Sequence, residues 1–149
     1  MKKQTIELLA PAGSWEALEA AVNAGADAVY MGGKAFGARQ YASNFDREEM
    51  QKAVYFAHMH RVRLYITVNT LVDDSELGEL VDYLLFLSNV GIDGIIVQDL
   101  GVIRLARQIV PDLPLHASTQ MTVTNSEGVK LAAEAGMERV VLARELSLE

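Results

Sequence analysis

The sequence contains no cysteine in its 149 residues. Without a thiol, the chain offers no disulfide, no thiolate zinc site, no cysteine ligand for an iron–sulfur cluster and no cysteine nucleophile. Any such chemistry in which the protein takes part must therefore come from residues outside this sequence. We expect no cofactor and no metal within this chain.

Long hydrophobic runs are also missing. No apolar run approaches the roughly 20 residues that cross a bilayer. The amino-terminal Met-Lys-Lys leads into a polar residue and a strand rather than into the hydrophobic core of a signal peptide. We therefore expect a cytoplasmic protein without a membrane partner.

An excess of positive charge is absent as well, because the formal net charge is −7. This charge argues against a broad nucleic-acid-binding surface, which needs a positive face. The segment from Lys34 to Arg63 is locally basic, with six basic and three acidic residues. It predicts either a local anion site or an ordinary mixed-charge surface.

The stretch Ile6 to Ser14 reads as a short apolar strand, a turn at Pro11 and Gly13, and the start of a helix. This is the first βα unit of an α/β fold, and its turn is where we expect a ligand to bind. Half of the residues are hydrophobic, which is enough for one sizeable core. We therefore expect residues 1–149 to belong to a single domain.

A repeated joint between helix and strand organises the chain. It reads A-G-A-D-A-V-Y-M from Ala24, V-G-I-D-G-I-I-V from Val90 and A-G-M-E-R-V-V-L from Ala135. In each copy a glycine closes a helix, an acidic residue follows two positions later, and a short strand begins. Gly25 and Gly91 lie two units of about 33 residues apart, which is the period of βα units.

These patterns predict six strands and five helices. The predicted strands are Glu7–Leu9, Ala28–Met31, Leu64–Val68, Gly94–Val97, Leu115–His116 and Val140–Leu142. The predicted helices are Trp15–Asn23, Glu48–His58, Glu76–Asn89, Val102–Ile109 and Glu127–Glu134. Asp46-x-x-Glu49 and Thr124-x-x-Glu127 have the form of capping boxes.

Strand order separates a Rossmann-like sheet from a barrel, and two details favour the barrel. No G-x-G-x-x-G follows the first strand, and polar residues end nearly every strand. We predict an α/β fold of the (β/α)8 TIM-barrel type, present as an amino-terminal part of about six βα units. The strand-end residues expected to share one face are Tyr30, Asn69, Gln98, Asp99, His116, Ser118, Gln120, Arg144 and Glu145.

The loop from Gly32 to Phe45 is long for a βα turn and contains three glycines. Gly32, Gly33 and Gly37 would let backbone N–H groups approach an anion or a planar ligand, and Arg39 would form a bidentate pair with a carboxylate or phosphate. Alternatively, this loop has a purely structural role and binds no ligand.

His116 ends a strand beside Ser118 and Gln120. The Ser–His spacing suits nucleophilic catalysis poorly, and a hydrogen-bonding set for a polar ligand fits better. Arg144 and Glu145 follow another strand, where they would hold an anionic substrate and a proton acceptor. The alternative for these two is a surface ion pair.

Neither the histidine pair nor the acidic cluster predicts a metal site. His58 and His60 lie at a helix end, where they complement the helix dipole. Asp73, Asp74 and Glu76 precede a helix, where capping is the better explanation.

Four blocks of this sequence resemble the amino-terminal half of peptidase family U32. They run from Glu7 to Arg39, from Ala42 to Phe45, from Ser118 to Asn125 (S-T-Q-M-T-V-T-N) and from Leu142 to Ser147. The resemblance implies a barrel and one of two activities: collagenase-like proteolysis, or oxygen-independent hydroxylation of RNA bases or ubiquinone precursors. The hydroxylating members imply prephenate-derived chemistry and a cysteine-bound 4Fe-4S cluster, whose signature lies in a half that is absent here.

The resemblance to the tRNA wobble-uridine hydroxylation proteins implies that the full-length protein forms 5-hydroxyuridine, and that this fragment alone is inactive. The expected partners are tRNA or a small prephenate-like anion, and open sheet edges predict a homo-oligomer. A peptidase acting on peptides is the alternative, although no H-E-x-x-H, serine elbow or carboxylate dyad occurs. A non-catalytic ligand-binding barrel is a third.

The predicted site has two groups of residues. The catalytic candidates are Arg144, Glu145 and His116. The substrate-binding candidates are Gly32, Gly33, Arg39, Asn44, Asn69, Gln98, Ser118 and Gln120.

Overall fold

Strands and helices alternate along residues 6–38 and 44–147, the part of the chain that the computed structural model describes. The strands are β1 (Leu9–Pro11), β2 (Ala28–Gly32), β3 (Arg63–Val68), β4 (Gly94–Val97), β5 (Leu115–Ala117) and β6 (Arg139–Val140). The helices are α1 (Trp15–Asn23), α2 (Arg47–Met59), α3 (Leu77–Val90), α4 (Leu100–Ile109) and α5 (Ser126–Glu134). Short 3₁₀ turns at Asp74–Glu76 and Thr119–Met121 precede α3 and α5.

The strands form one sheet in chain order, β1-β2-β3-β4-β5-β6, and every neighbouring pair is parallel. A Rossmann sheet reverses its strand order at a switch point, whereas a barrel adds each strand beside the previous one. The sheet is therefore the six-stranded part of a barrel with helices on its outer face. This confirms the barrel prediction.

The repeated glycines end helices in the left-handed region. Gly25, Gly91 and Gly136 have φ values of 87°, 83° and 85°. A side chain strains this conformation, so glycine suits all three positions. The repeat read from the sequence is thus a repeat of backbone geometry.

At the first two joints the acidic residue ties the new strand to the one before it through both its side chain and its backbone. The carboxylates of Asp27 and Asp93 accept hydrogen bonds from the N–H groups of Leu8 and Leu64, each at 2.8 Å. The backbone N–H groups of the same two aspartates donate to the carbonyl oxygens of Leu8 and Leu64, each at 2.9 Å. One residue therefore satisfies both backbone groups at the start of the preceding strand.

Side chains alternate between the two faces of the curled sheet. The outward set packs against the helices and forms the main core, with Val29, Leu64, Ile66, Ile95 and Leu115 fully buried. The inward set makes a smaller cluster inside the curl, built on Ala28, Tyr65 and Ile96 with Leu9 and Tyr30 packed against it. Inward-facing residues near the carboxyl ends of the strands are therefore placed to meet a ligand.

An ion cluster fills the amino end of the interior. Glu7 forms ion pairs with Arg63 of β3, at 2.5 Å, and with Arg139 of β6. The hydroxyl of Tyr65 donates to the same carboxylate at 3.1 Å. The Arg139 guanidinium also lies 5.4 Å from the centre of the Tyr65 ring. These contacts join the two edge regions of the sheet across the interior.

The first and sixth strands were predicted with wrong bounds at both ends, and the predicted ranges of β2, β3 and β5 are each one residue short. The first strand starts at Leu9 and continues to Pro11, which pairs with Tyr30. Proline has no N–H to donate, but β1 pairs only with β2, so a missing donor is tolerated at this edge. The sixth strand spans Arg139–Val140. Val141 still donates to the carbonyl of Ala117, and the chain then leaves the sheet, where Ala143 donates to the carbonyl of Val123.

The helix starts agree only in part with the predicted capping boxes. Asp46 and Glu49 form the predicted box at the start of α2. The box predicted at Thr124 was wrong, because Asn125 caps α5 and accepts from the N–H of Gly128 at 2.9 Å. Asparagine is among the best N-cap residues and competes successfully for this position.

Within residues 6–38 and 44–147, no helix combines the length and the hydrophobicity that crossing a membrane requires.

Candidate active site

A cavity of about 370 Å³ opens at the carboxyl ends of the strands. Its floor is largely apolar and includes Leu9, Tyr30 and Ile96. Its polar lining comes from Thr67 near the end of β3 and from the segments that follow the strands: Asn44, Asn69, Ser118, Thr119, Gln120 and Arg144. The end of β1 and the turn after it also reach the cavity, through Pro11, Ala12 and Gly13.

Asn69 connects the loops that follow four consecutive strands. Its Oδ1 accepts the backbone N–H of Ala38 at 3.0 Å, and its Nδ2 donates to Gln120 Oε1 at 2.7 Å. Its backbone carbonyl accepts from Gln98 Nε2 at 2.6 Å. The two hydrogen bonds of the side chain and the one of the backbone carbonyl hold Asn69 in place, so Asn69 sets the relative positions of these loops.

Ser118 forms hydrogen bonds with both the side chain and the backbone of Gln120. Its hydroxyl donates to Gln120 Oε1 and accepts from the backbone N–H of Gln120, both at 3.3 Å. Ser118 is buried, and its own N–H donates to the carbonyl of Val97 at 2.8 Å. Gln120 itself is exposed towards the cavity. Ser118 therefore positions Gln120, and binding of a polar ligand by these residues stays a prediction.

Gly32 lies where the chain passes close to two polar side chains. A Cβ at this position would be 3.1 Å from Asn44 Oδ1 and 3.4 Å from Thr67 Oγ1. The returning loop pairs beside it, because Phe45 donates to the carbonyl of Gly32 at 3.2 Å. Glycine at this position keeps the cavity wall open next to Asn44, which is buried.

Gly33 points away from the cavity. A Cβ on Gly33 would lie 2.1 Å from the hydroxyl of Tyr83 and 3.0 Å from Met50 Cε. These residues belong to α3 and α2, so the packing of helices on the sheet requires glycine here. Its prediction as a substrate-binding residue rests on the backbone alone.

Positive charge at the cavity comes from Arg144, which is exposed and lines the opening. Among the described residues no acidic side chain pairs with it. Lys34, the other nearby cation, pairs with Asp46 at 3.4 Å. Arg39 was predicted to share this site and lies outside the described residues.

His116 lies one layer below the cavity and does not line it. Its ring packs edge-on against Tyr65 with centroids 4.6 Å apart. Burial lowers the pKa of His116 to about 4, with a further contribution from the positive charge of Arg139. The imidazole is therefore neutral at neutral pH.

Two further candidates lie beside the cavity rather than in its lining. Glu145 is exposed next to Arg144, and Gln98 contacts the site only through the carbonyl of Asn69. Among the described residues, no group of three or more His, Asp or Glu side chains could hold a metal ion.

Sequence reasoning missed Thr67 and Ile96 as parts of the cavity. Both face inward because each lies two residues before a predicted strand-end residue, Asn69 or Gln98. Side chains alternate along a strand, so counting back by two from each strand end would have found them.

Comparison with known proteins identifies the family. The family model of peptidase family U32 matches residues 13–149. The chain belongs to this family. A solved structure of the U32 peptidase Mk0906 superimposes with a TM-score of 0.74 at 14% identity, covering 95% of this chain and 61% of that one. At this identity the likeness concerns the fold alone.

Two relatives are much more similar to this chain in sequence. The chain is 43% identical to the Bacillus subtilis tRNA hydroxylation protein P1 over 141 residues, which cover 95% of this chain and 33% of that protein. It is 40% identical to the Escherichia coli 23S rRNA 5-hydroxycytidine C2501 synthase over 144 residues, 97% of this chain and 21% of that protein. The chain thus spans a third or less of the length of these relatives.

Proposed function

We propose that this U32 chain is the substrate-holding part of a protein that hydroxylates uridine in tRNA to 5-hydroxyuridine. The observation that carries the proposal is the cavity, in which amide side chains surround an apolar floor. Such a lining suits a flat ring with polar edges, such as a nucleobase or a small aromatic acid. The relatives named for tRNA and rRNA hydroxylation support the same reading.

Arg144 is the proposed contact for negative charge. The protein carries a net charge of −7, so its overall field repels an anionic substrate and a local cation must compensate. A guanidinium matches a carboxylate or phosphate with two parallel hydrogen bonds. The proposed anion is a prephenate-like acid or a tRNA phosphate, and Arg39 is proposed to assist.

Asn44, Asn69, Ser118 and Gln120 are proposed to orient the substrate, with Gly32 leaving room beside them. Catalytic roles for His116 and Glu145 stay predictions. Because His116 is neutral and lies below the cavity, it is better suited to positioning neighbouring residues than to acting as a cationic general acid.

A 4Fe-4S cluster does not fit the residues of this chain, because clusters are held by cysteine thiolates and the sequence has none. We propose that other residues of the complete protein hold such a cluster. The 149 residues alone are then expected to be inactive.

The place of action proposed for the protein is the cytoplasm, where tRNA is modified. A second proposed partner is another copy of the chain, through the free edges of β1 and β6.

The experiment is mass spectrometry of tRNA nucleosides from a strain that lacks the gene, compared with the same strain carrying it on a plasmid. Loss of 5-hydroxyuridine and its derivatives, with recovery on complementation, is the expected result. Unchanged tRNA would contradict the proposal.

A peptidase is the second candidate, because the matching family is described as a peptidase family. Purified complete protein that cleaves gelatin, from a strain whose tRNA is unchanged by the deletion, would favour this candidate. We expect no cleavage.

A further inference from the structure

We infer that Gln120 presents the NH₂ group of its amide to the ligand, so that the cavity selects a ligand with an acceptor oxygen at this point. The inference rests on the proposed function, since it assigns the chemical group that the same cavity recognises. It follows from a chain of hydrogen bonds whose direction is fixed at one end by the backbone.

The first step fixes the orientation of Asn69. The backbone N–H of Ala38 can only donate, so the side-chain atom that faces it at 3.0 Å must be the carbonyl oxygen Oδ1. The NH₂ group of Asn69 therefore points the other way, towards Gln120. Asn69 has no freedom to exchange these two atoms without leaving the Ala38 N–H unpaired.

The second step fixes the orientation of Gln120. The Asn69 NH₂ group lies 2.7 Å from one atom of the Gln120 amide, and a donor must face an acceptor. That atom is therefore Oε1, which also accepts from the hydroxyl of Ser118 at 3.3 Å. With its oxygen used twice, the amide turns its Nε2 away from Asn69 and Ser118. Among the described residues none accepts a hydrogen bond from this nitrogen.

The NH₂ group of Gln120 is thus a hydrogen-bond donor that a ligand can use. Gln120 and Arg144 both line the cavity and offer NH groups, and none of the described residues that line it carries a carboxylate. The matching ligand group is an oxygen that accepts hydrogen bonds, either a ring carbonyl or a carboxylate. Uracil carries such a carbonyl where cytosine carries an amino group, so the same donor would favour uridine over cytidine.

The test measures binding of neutral nucleosides and of prephenate to the complete gene product by calorimetry. In Gln120→Met the side chain keeps its length and neutrality but loses the donor. We expect the affinity for uridine to fall at least about tenfold if the carbonyl is the ligand group, and the affinity for prephenate to fall by that factor if it is the carboxylate. Gln108→Met, on the exposed face of α4, is the matched control and should change neither.

Asn69→Asp tests the positioning role of Asn69. Aspartate still accepts from Ala38, but it offers no donor to Gln120, so the Gln120 amide should turn and direct its oxygen into the cavity. The ratio of uridine affinity to cytidine affinity should then fall at least about tenfold if the base is the ligand. If the acid is the ligand, prephenate affinity should fall while the nucleoside ratio stays unchanged.

Two results would overturn the inference. One is an unchanged affinity for both uridine and prephenate in Gln120→Met. The other is an equal loss of all three ligands in Asn69→Asp, which a purely structural role would produce. Because these readouts do not depend on hydroxylation, a failure of the proposed function in the tRNA measurement is distinguishable from a failure here.

Discussion

Glu7, just before β1, forms an ion pair with Arg139 of β6, although these strands are the two edges of the sheet. The pair joins residues that are 132 positions apart in the sequence. The second oxygen of the same carboxylate binds Arg63 of β3. One half-buried carboxylate therefore links three strands across the interior and holds the curl that shapes the cavity at the other end.

Glu7→Gln should destabilise the protein by about 1–3 kcal/mol, because two arginines lose their partner inside the curl. Burial alone would raise the pKa of Glu7, but hydrogen bonding and charge from Arg139, with smaller effects of Tyr65 and Arg63, hold this pKa below its usual value. The stabilisation is therefore present above the unfolded pKa near 4.5 and lost as the pH falls through the lower folded value. Urea unfolding near pH 7 and near pH 3 measures both effects.

A double-mutant cycle between Glu7 and Arg139 isolates the pair. The exposed pair Glu48–Lys52 on α2 serves as the control, and its coupling energy should be no more than about 0.5 kcal/mol. Equal coupling energies in the two pairs would show that the interior location of Glu7 does not strengthen its ion pair with Arg139.

His116 should make stability depend on pH in a window that Glu7 does not cover. Its pKa is lowered from 6.5 to about 4, chiefly by burial, and the groups that face it are Glu7, Arg63, Tyr65 and Arg139. Between these two values the unfolded chain binds a proton that the folded chain does not, so stability falls as the pH falls through this window. The expected loss between about pH 7 and about pH 5 is roughly 2 kcal/mol.

His116→Asn should remove most of that dependence, as followed by urea unfolding at the two pH values. His60→Asn, an exposed histidine at the end of α2, is the control and should keep it. A pH dependence that survives in His116→Asn would show that another group causes it.

Gly33→Ala should lower stability rather than ligand binding. The new methyl group would meet the Tyr83 hydroxyl at 2.1 Å, and overpacking of this kind costs about 1–3 kcal/mol. Within the described part of the chain the Tyr83 hydroxyl is buried without a hydrogen-bond partner, so Tyr83→Phe should cost little. The double variant should regain part of the loss in thermal unfolding. Weaker ligand binding at unchanged stability would instead support the predicted contact of Gly33 with substrate.

The sequence predicted the outward face of the fold better than the inner site. Strand and helix positions followed from local patterns such as the Gly25 and Gly91 joints, which depend on neighbouring residues only. The link between Ala38, Asn69 and Gln120 joins loops far apart in sequence, and no local pattern specifies which strand-end amides meet. The sequence pattern places His116 at the end of a strand, whereas in the structure it lies within β5, opposite Arg139 and below the cavity.

The 149-residue chain studied alone should self-associate. Within the described part of the chain, β1 and β6 each pair on one side only, and Ile6, Leu8 and Leu142 expose apolar surface near these edges. Unpaired edges with apolar neighbours favour pairing with another chain. Light scattering at tens of micromolar (roughly the range in which such edges associate) should give at least a dimer, and a clean monomer would contradict this expectation.

The proposal that this cavity binds the substrate is tested most directly by measuring 5-hydroxyuridine in tRNA from the deletion strain that carries the Arg144→Ala gene. The control strain carries Arg104→Ala, which removes another exposed arginine, from α4 and outside the cavity. Loss of a charged contact to an anionic substrate costs on the order of 2–5 kcal/mol, so Arg144→Ala should abolish most of the modification at unchanged protein level. Arg104→Ala should restore it fully. A normal amount of 5-hydroxyuridine in the Arg144→Ala strain would contradict the proposal that this cavity binds the substrate.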